Sequence, residues 1–522
     1  MISKPPRRPL RVLTHPFTYL IVACLILLAH QAFYYRALGF DAIDDAYISF
    51  RYAQNLVAGQ GLVFNAGERV EGYTNFLWTI IVAIFMRLGF EPTPVAVGLG
   101  AVFSVATLWL VYRFLKLTSL GGSAVPIIAV LCLAHDGSFA LWAVSGMETS
   151  MFAFVVMAAV TAYLWEWKSE KPGFLSGALL ALGAMTRPEG VLVLGVVVIH
   201  QALARLALQS QFLTSADVAR AGLFLVLYLP YFLWRYYYYG FLLPNTFYAK
   251  VTVRGTQAQH QRGLRYLNTF VNVHLGWLLP LWILVPLLKR KFSFWLTSLL
   301  ALVPAYVLYI VYVGGDWSVG RFFVPILPAA YILVAFGVVE AYKSLQRWAG
   351  RLTSSSRVLP ILRWTALSVL AAAFVALFSF SSLNGEHKLF IVRFQAARAT
   401  HARVTLGRWL HDNVPADTFI AVDAAGQMPY YSGLRALDMF GINDVEIAHL
   451  KVETMGQGEP GHEKFGFDRV MWLQPDLIIA GAAFLDGSDD YERLDVAWTD
   501  DPLLYDYLYI YRRKGWTGWE RL

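Results

Sequence analysis

The chain is 522 residues long, 57% of them hydrophobic and only 15% charged, with a mean hydropathy of +0.50. That balance excludes a soluble globule of ordinary composition and defines a polytopic membrane protein. The net charge of +8 is divided unevenly: residues 381–522 carry 14 Lys and Arg against 21 Asp and Glu, a formal −7, which leaves +15 for the first 380. Two domains are expected, an apolar membrane domain over residues 1–384 with an outer loop at 36–93, and an acidic extramembrane domain over 385–522.

The basic residues fall in clusters, so the excess has a topological meaning and no nucleic-acid partner is expected. Lys4, Arg7, Arg8 and Arg11 precede the first apolar run, and further clusters lie at Arg113 and Lys116, Lys168 and Lys171, Lys289 to Lys291, and Lys343 to Arg363. With each cluster placed in the cytoplasm, spans at 17–35, 94–112, 123–141, 147–165, 172–187, 189–208, 218–239, 267–288, 293–313, 322–342 and 364–381 alternate without conflict. That makes about eleven crossings of the cytoplasmic membrane. No small-x-small site follows Tyr34 and Tyr35, so the first span is expected to stay as an anchor. The apolar segment Asn75 to Leu88 would break the parity if it crossed, and it reads as a juxtamembrane helix on the outer side. Cys24 and Cys132 both fall inside spans and support neither a disulfide framework nor a zinc site.

This topology gathers the polar motifs on the outer face: the Asp44–Asp45 pair, SGMETS at 145–150, MTRPEG at 185–190, GFLLPNTFYAK at 240–250, GGDWSVGR at 314–321 and the acidic domain. Span centres nearly free of charge suit chemistry at the outer leaflet, whereas a transporter would be expected to bury carboxylates at mid-depth. Asp44 precedes a helix expected over Ala46 to Ala58 that stops at Gly59 and Gly61. An ordinary N-cap with a first-turn acid behind it, and a carboxylate pair for acid/base work, both fit this position.

The C-terminal domain reads as a small α/β unit. Phe390 to Asn413 has helical spacing, TFIAVDA at 418–424 is a buried-strand run, and AGQMPYYSG is a short helix closed by Gly433. RALDMFG, PDLIIAG and YLYIYRR supply further strands of a parallel or mixed sheet. GQGEPGHEK at 456–464 is a Gly-rich loop without a phosphate-loop pattern.

The run DDAYISFRYAQNLVAGQGLVFNAGERVEGYTNFLW, followed in order by SGMETSMF, TRPEG, LPNTFYAK, GGDWSVGRFFVPILP and GEPGHEK, resembles the bacterial GT-C glycosyltransferases. Within them it is most similar to the branch of the mycobacterial terminal arabinofuranosyltransferases of the cell envelope. The resemblance implies a polytopic α-helical GT-C-like fold with a C-terminal soluble α/β domain. It also implies a catalytic acidic pair at Asp44 and Asp45, and a polyprenyl-phosphate sugar, best an arabinofuranosyl one, as donor. An extracytoplasmic glycan or glycoprotein would accept the sugar.

Such a transfer needs a base for the acceptor hydroxyl and cations for the departing phosphate. Asp44 or Asp45 is the candidate base. Arg187, Arg321 and Lys250, near outer ends of spans, are the phosphate candidates, with interfacial snorkelling or an Arg187–Glu189 salt bridge as the competing readings. Asp316 and Trp317 suit a sugar's hydroxyls and ring face, or a tight turn with an interfacial anchor. Glu148 and His135, the latter beside Asp136, are further pocket candidates, as are the outer-loop charges Glu68, Arg69 and Glu71. No His/Asp/Glu spacing amounts to a metal signature, and a divalent cation is compatible with the chemistry without being indicated. The runner-up functions are a lipid-linked-sugar transporter and an O-antigen ligase or polymerase with a lipid-diphosphate donor.

Overall fold

The computed structural model describes residues 16–118, 124–211, 213–251, 255–274, 283–285, 287, 293–318, 320–352, 395–494 and 508–518. Among them, seven helices are long and apolar enough to cross a membrane: Phe17–Ala37, Pro92–Thr118, Thr149–Lys168, Gly190–Ala207, Ser215–Tyr239, Phe294–Val313 and Arg321–Trp348. The expected span at 123–141 is a pair of helices, Ala124–His135 and Gly137–Ala143, bent by 60° at Asp136. The bend has a local cause. Asp136 accepts the Phe139 N–H at 2.8 Å and so caps the second helix instead of continuing the first.

Taken as one span, that pair brings the count among the described residues to eight. The expected crossing at 172–187 is a 13-residue helix, Phe174–Thr186, too short to span alone. It stops because Arg187, preceding Pro188, is extended (φ −153°, ψ 145°). The expected span at 364–381 lies outside the described residues, and that at 267–288 is described only in part. The chain there forms a polar helix, Gln257–Val273, that takes in the start of the expected span. Asn75 to Leu88 contains a 12-residue helix, Phe76–Arg87, too short to cross.

Gln395–Asn413 is helical and leads into a five-stranded sheet of β1 (Phe419–Val422), β2 (Arg435–Asp438), β3 (Leu477–Ala480), β4 (Tyr491–Leu494) and β5 (Tyr509–Arg513). The order is β2-β1-β3-β5-β4, parallel through β2, β1 and β3 and antiparallel from β3 to β5 and β4. The sequence pattern misses β4, because YERL at this edge alternates around charged residues and has no apolar run. The helix Gln427–Ser432 ends as expected at Gly433, whose φ of 68° is a left-handed C-cap.

This acidic domain is a cap built onto the loop that follows the first helix. Ile48, Tyr52, Leu62, Phe64 and Tyr73 of the loop share one apolar core with Leu406, Leu410, Ile420, Val422 and Met428 of the cap. Polar contacts fix the register of that union. The buried Arg51 donates to the carbonyls of Pro429 and, at 2.6 Å, Leu434, and Asn65 exchanges hydrogen bonds with the backbone of Ala436 at 2.9 and 3.1 Å. Asn245, on the far side of the loop cluster, donates to the carbonyls of Gly441, Ile442 and Asp444.

Candidate active site

The acidic pair opens the helix Asp44–Val57, but neither residue is its N-cap. Ile43 holds that position in extended geometry and offers no side-chain acceptor, which corrects the expectation that Asp44 caps the helix. As first-turn acids both carboxylates gain from the helix dipole, and their side chains then diverge. Asp44 accepts the backbone N–H groups of Gly426 (3.1 Å) and Gln427 (2.9 Å) from the cap, with the Arg403 guanidinium 3.9 Å away. Burial pushes the Asp44 carboxyl above its ordinary range, against the pull of Arg403 and the two N–H groups.

Asp45 instead faces a cavity of about 190 Å³. Four separate segments bring charge to it: Glu148 from SGMETS, Arg187 and Glu189 from TRPEG, Lys250 from LPNTFYAK, and Asp316 and Arg321 from GGDWSVGR. The glycines of the last motif make this convergence sterically feasible. Gly314, Gly315 and Gly320 all have positive φ, and a Cβ on Gly315 would come within 2.6 Å of the Tyr266 ring.

The cations of the cavity are not equivalent. Arg321 lies 2.6 Å from Asp316 through Nε and 3.3 Å from Asp45 through Nη1, so one guanidinium bridges two carboxylates. Arg187 is held on both sides by Glu148 and Glu189, each at 2.7 Å and all three buried. This is the structural pairing weighed in the sequence, extended by a second acid. The chain of contacts continues from Glu148 to Asn75 (2.7 Å) and from Asn75 to Ser49 (3.0 Å), one helical turn beyond Asp45. Lys250 lines the cavity with neither a hydrogen bond nor an ion pair among the described residues. Its alkyl stem passes Gly461 of the cap, where an added Cβ would stand 3.1 Å from Lys250 Cε.

Two expected pocket residues are not among those that line the cavity. Trp317 follows Asp316 but is not in the wall. His135 bonds through Nδ1 to the Leu131 carbonyl at 2.8 Å and stands edge-on to His30. Asp136 is partnered with His274 at 3.1 Å and Tyr331 at 2.6 Å and accepts the Phe139 N–H of the helix that it caps.

The expected pocket charges Glu68, Arg69 and Glu71 also lie outside the wall. Glu68 pairs with Arg435 at 2.7 Å, Arg69 covers the Tyr238 ring, and Glu71 is gripped by Arg235 at 2.8 Å. Ser49, Asn75 and the cap residues Ile442 and Pro460 do line the cavity and escaped the sequence reading. Asn75 reads as a helix-start residue, which it is, but its side chain is turned to Glu148 and makes no cap.

A cavity roofed by a cap, over a bundle of apolar helices and beside an acidic pair that follows the first of them, defines the GT-C class of membrane fold. ArnT from Cupriavidus metallidurans bound to undecaprenyl phosphate superposes with a TM-score of 0.57 at 11% identity, over 93% of this chain and 97% of that one. The oligosaccharyltransferase AglB from Archaeoglobus fulgidus, in complex with an inhibitory peptide and a dolichol-phosphate, gives a TM-score of 0.55 at 12% identity, over 89% and 69% of the two chains. In sequence the chain is similar to the terminal beta-(1->2)-arabinofuranosyltransferases of Mycobacterium tuberculosis, 27% identical over 59% of this chain and 54% of that one, and of Corynebacterium glutamicum, 27% identical over 57% and 47%. The chain spans about half the length of these relatives. Residues 392–519 match a family model described as a domain of unknown function (DUF8728).

Proposed function

We propose that the protein is a membrane glycosyltransferase that moves a sugar from a polyprenyl-phosphate donor to a glycan or glycoprotein outside the cytoplasmic membrane. The observation that carries this reading is the convergence on one cavity of the Asp45 carboxylate, the Arg321 guanidinium and the Lys250 ammonium, the last with no partner among the described residues. Asp45 takes the proton of the acceptor hydroxyl as its oxygen bonds to the sugar C1. The C1–O bond to phosphate breaks, and polyprenyl phosphate leaves with the electron pair. Lys250 and Arg321 balance the charge that develops on it. Asp316 and Glu148 remain as acceptors for sugar hydroxyls at the cavity wall.

Similarity to the arabinofuranosyltransferases favours arabinofuranose as the sugar. The cavity charges come from loops and helix ends rather than span centres, which favours an enzyme over a transporter. The basic residues at the opposite ends of these helices, such as Lys168 and Lys343, support a cavity and cap that face the extracytoplasmic side.

Purified protein incubated with a panel of polyprenyl-phosphate sugars should consume one of them and release polyprenyl phosphate, the arabinofuranosyl donor fastest. Consumption of none, or consumption undiminished in Asp45→Asn, would overturn the reading.

A further inference from the structure

The cap carries a second concavity, of about 600 Å³, on the helix Phe467–Leu473 and the neighbouring segment Val445–Leu450. Among the described residues of the cap, the exposed large hydrophobic side chains are Leu450, Phe465, Phe467 and Trp472, and all four line this one cleft. Trp472 is 73% exposed. Apolar side chains scattered singly are ordinary on a protein surface, but their confinement to one recess marks a binding face.

The polar groups between them indicate what it binds. Arg469 lies under the Trp472 ring at 4.9 Å and is tied to Glu446 at 2.8 Å and Asp444 at 3.7 Å, so its charge is already answered within the protein. With Asp468 also in the wall, the cleft has more acid than base. That disfavours an anionic bilayer surface or a phosphate group. An open indole face beside fixed, planar carboxylate and guanidinium groups suits a neutral, hydroxyl-rich ring. The face packs on C–H groups, and the flanking oxygens and nitrogens take and give hydroxyl hydrogen bonds.

The position of the cleft gives it a role. The segment 441–448 stands between it and the catalytic cavity: Ile442 lines the cavity, whereas Glu446 and Ile447 line the cleft. The same segment is pinned to the membrane domain by Asn245, and His449, the next residue, stacks on Tyr248 at 4.5 Å. A polymer whose end enters the cavity would therefore have its next units led across a rigid strip of cap toward Trp472.

The geometry points to a glycan-holding subsite at Trp472, Phe467 and Glu446 that binds the body of the acceptor chain away from its reacting end. This rests on the transferase reading for its purpose, though not for its test. Full-length protein in nanodiscs is titrated calorimetrically with neutral pentofuranose and hexose oligosaccharides and with the corresponding simple glycosides. The subsite predicts that Trp472→Ala and Glu446→Ala weaken binding of the preferred oligosaccharide about tenfold, as expected for one lost aromatic contact, and leave the simple glycosides unaffected. In transfer assays KM for the oligosaccharide should rise with kcat and acceptor-free donor consumption unchanged. Because binding is read directly, a protein that consumes no donor refutes the transferase reading without deciding the subsite. Unchanged oligosaccharide binding in both variants overturns the subsite. Quenching of Trp472 by brominated nanodisc lipid would make the cleft a membrane contact, and a change of oligomeric state in Trp472→Ala would make it a self-interface; either result refutes glycan binding.

Discussion

Asp44 accepts the backbone N–H of Gln427 at 2.9 Å across the junction between the first loop and the cap, while its neighbour Asp45 faces the cavity. The fit on the cap side is close: a Cβ on Gly426 would stand 1.9 Å from the Asp44 carbonyl oxygen. Two consecutive acids that look alike in sequence therefore have different surroundings. One joins the cap to the helix that carries the other, so cap docking and the position of Asp45 are mechanically linked.

Asp45→Asn should lower transfer by at least about a hundredfold with the fold and membrane insertion intact, since an amide cannot act as a base. Asp44→Asn should keep measurable transfer but turn an NH₂ toward one of the two backbone donors. That costs on the order of 1–3 kcal/mol at the junction and should appear as faster hydrogen exchange over residues 426–432. The reverse pattern, an inert Asp44→Asn with a protected cap and a fully active Asp45→Asn, would exchange the two roles.

Arg187→Met should behave as a stability variant. It leaves Glu148 and Glu189 buried without their common cation, a loss of about 3–5 kcal/mol that thermal melting should show. Arg187→Lys retains the charge without the fork and should fall between the two. Weaker donor binding at an unchanged melting temperature would instead return Arg187 to the phosphate.

The membrane class and the cap were legible because composition, 20-residue apolar runs and strand-length β-branched runs are local properties of the chain. The cavity was legible in part for a related reason. Charged residues near the ends of the apolar runs are few, which singled out Glu148, Arg187, Lys250 and Arg321, whereas Asp45 and Asp316 were favoured by the resemblance of their motifs to the GT-C glycosyltransferases. The different surroundings of Asp44 and Asp45 could not be read in this way, because they depend on a cap residue 382 positions away. The same holds for Arg187, whose second acid, Glu148, comes from a different motif. His135 was chosen for its chemistry and depth, but the helix break at Asp136 sets where that segment points. Spacing alone carries no signal of a break that is anchored by His274 and Tyr331.

Glu71 should make the stability of the protein fall as pH rises. Burial pushes its carboxyl from 4.5 up to about 7, against the pull of Arg235. The folded state thus holds the proton more tightly than the unfolded chain does. The resulting stabilisation is complete below about 4.5 and lost as pH passes through 7, at most about 3 kcal/mol. The measurement is the melting temperature of parent and Glu71→Gln between these pH values. The parent should gain on acidification relative to the variant, and parallel curves would show that Glu71 does not titrate in this range.

Lys250→Met should separate donor binding from folding more cleanly than either arginine. Its ammonium has no partner among the described residues, so its removal strands no carboxylate among them, and the melting temperature should hold. If the ammonium meets the donor phosphate, a charge-assisted contact of about 1.5–3 kcal/mol is lost, and polyprenyl-phosphate affinity should fall roughly ten- to a hundredfold. Lys250→Arg should recover part of this, because charge matters more than shape for a single point contact. Arg321→Lys, in contrast, should weaken donor binding and also loosen Asp45 and Asp316, so it should lose transfer rate and stability together. Unchanged donor affinity in Lys250→Met would remove the unpaired cation from the proposed leaving-group site and leave Arg321 to neutralise the phosphate alone.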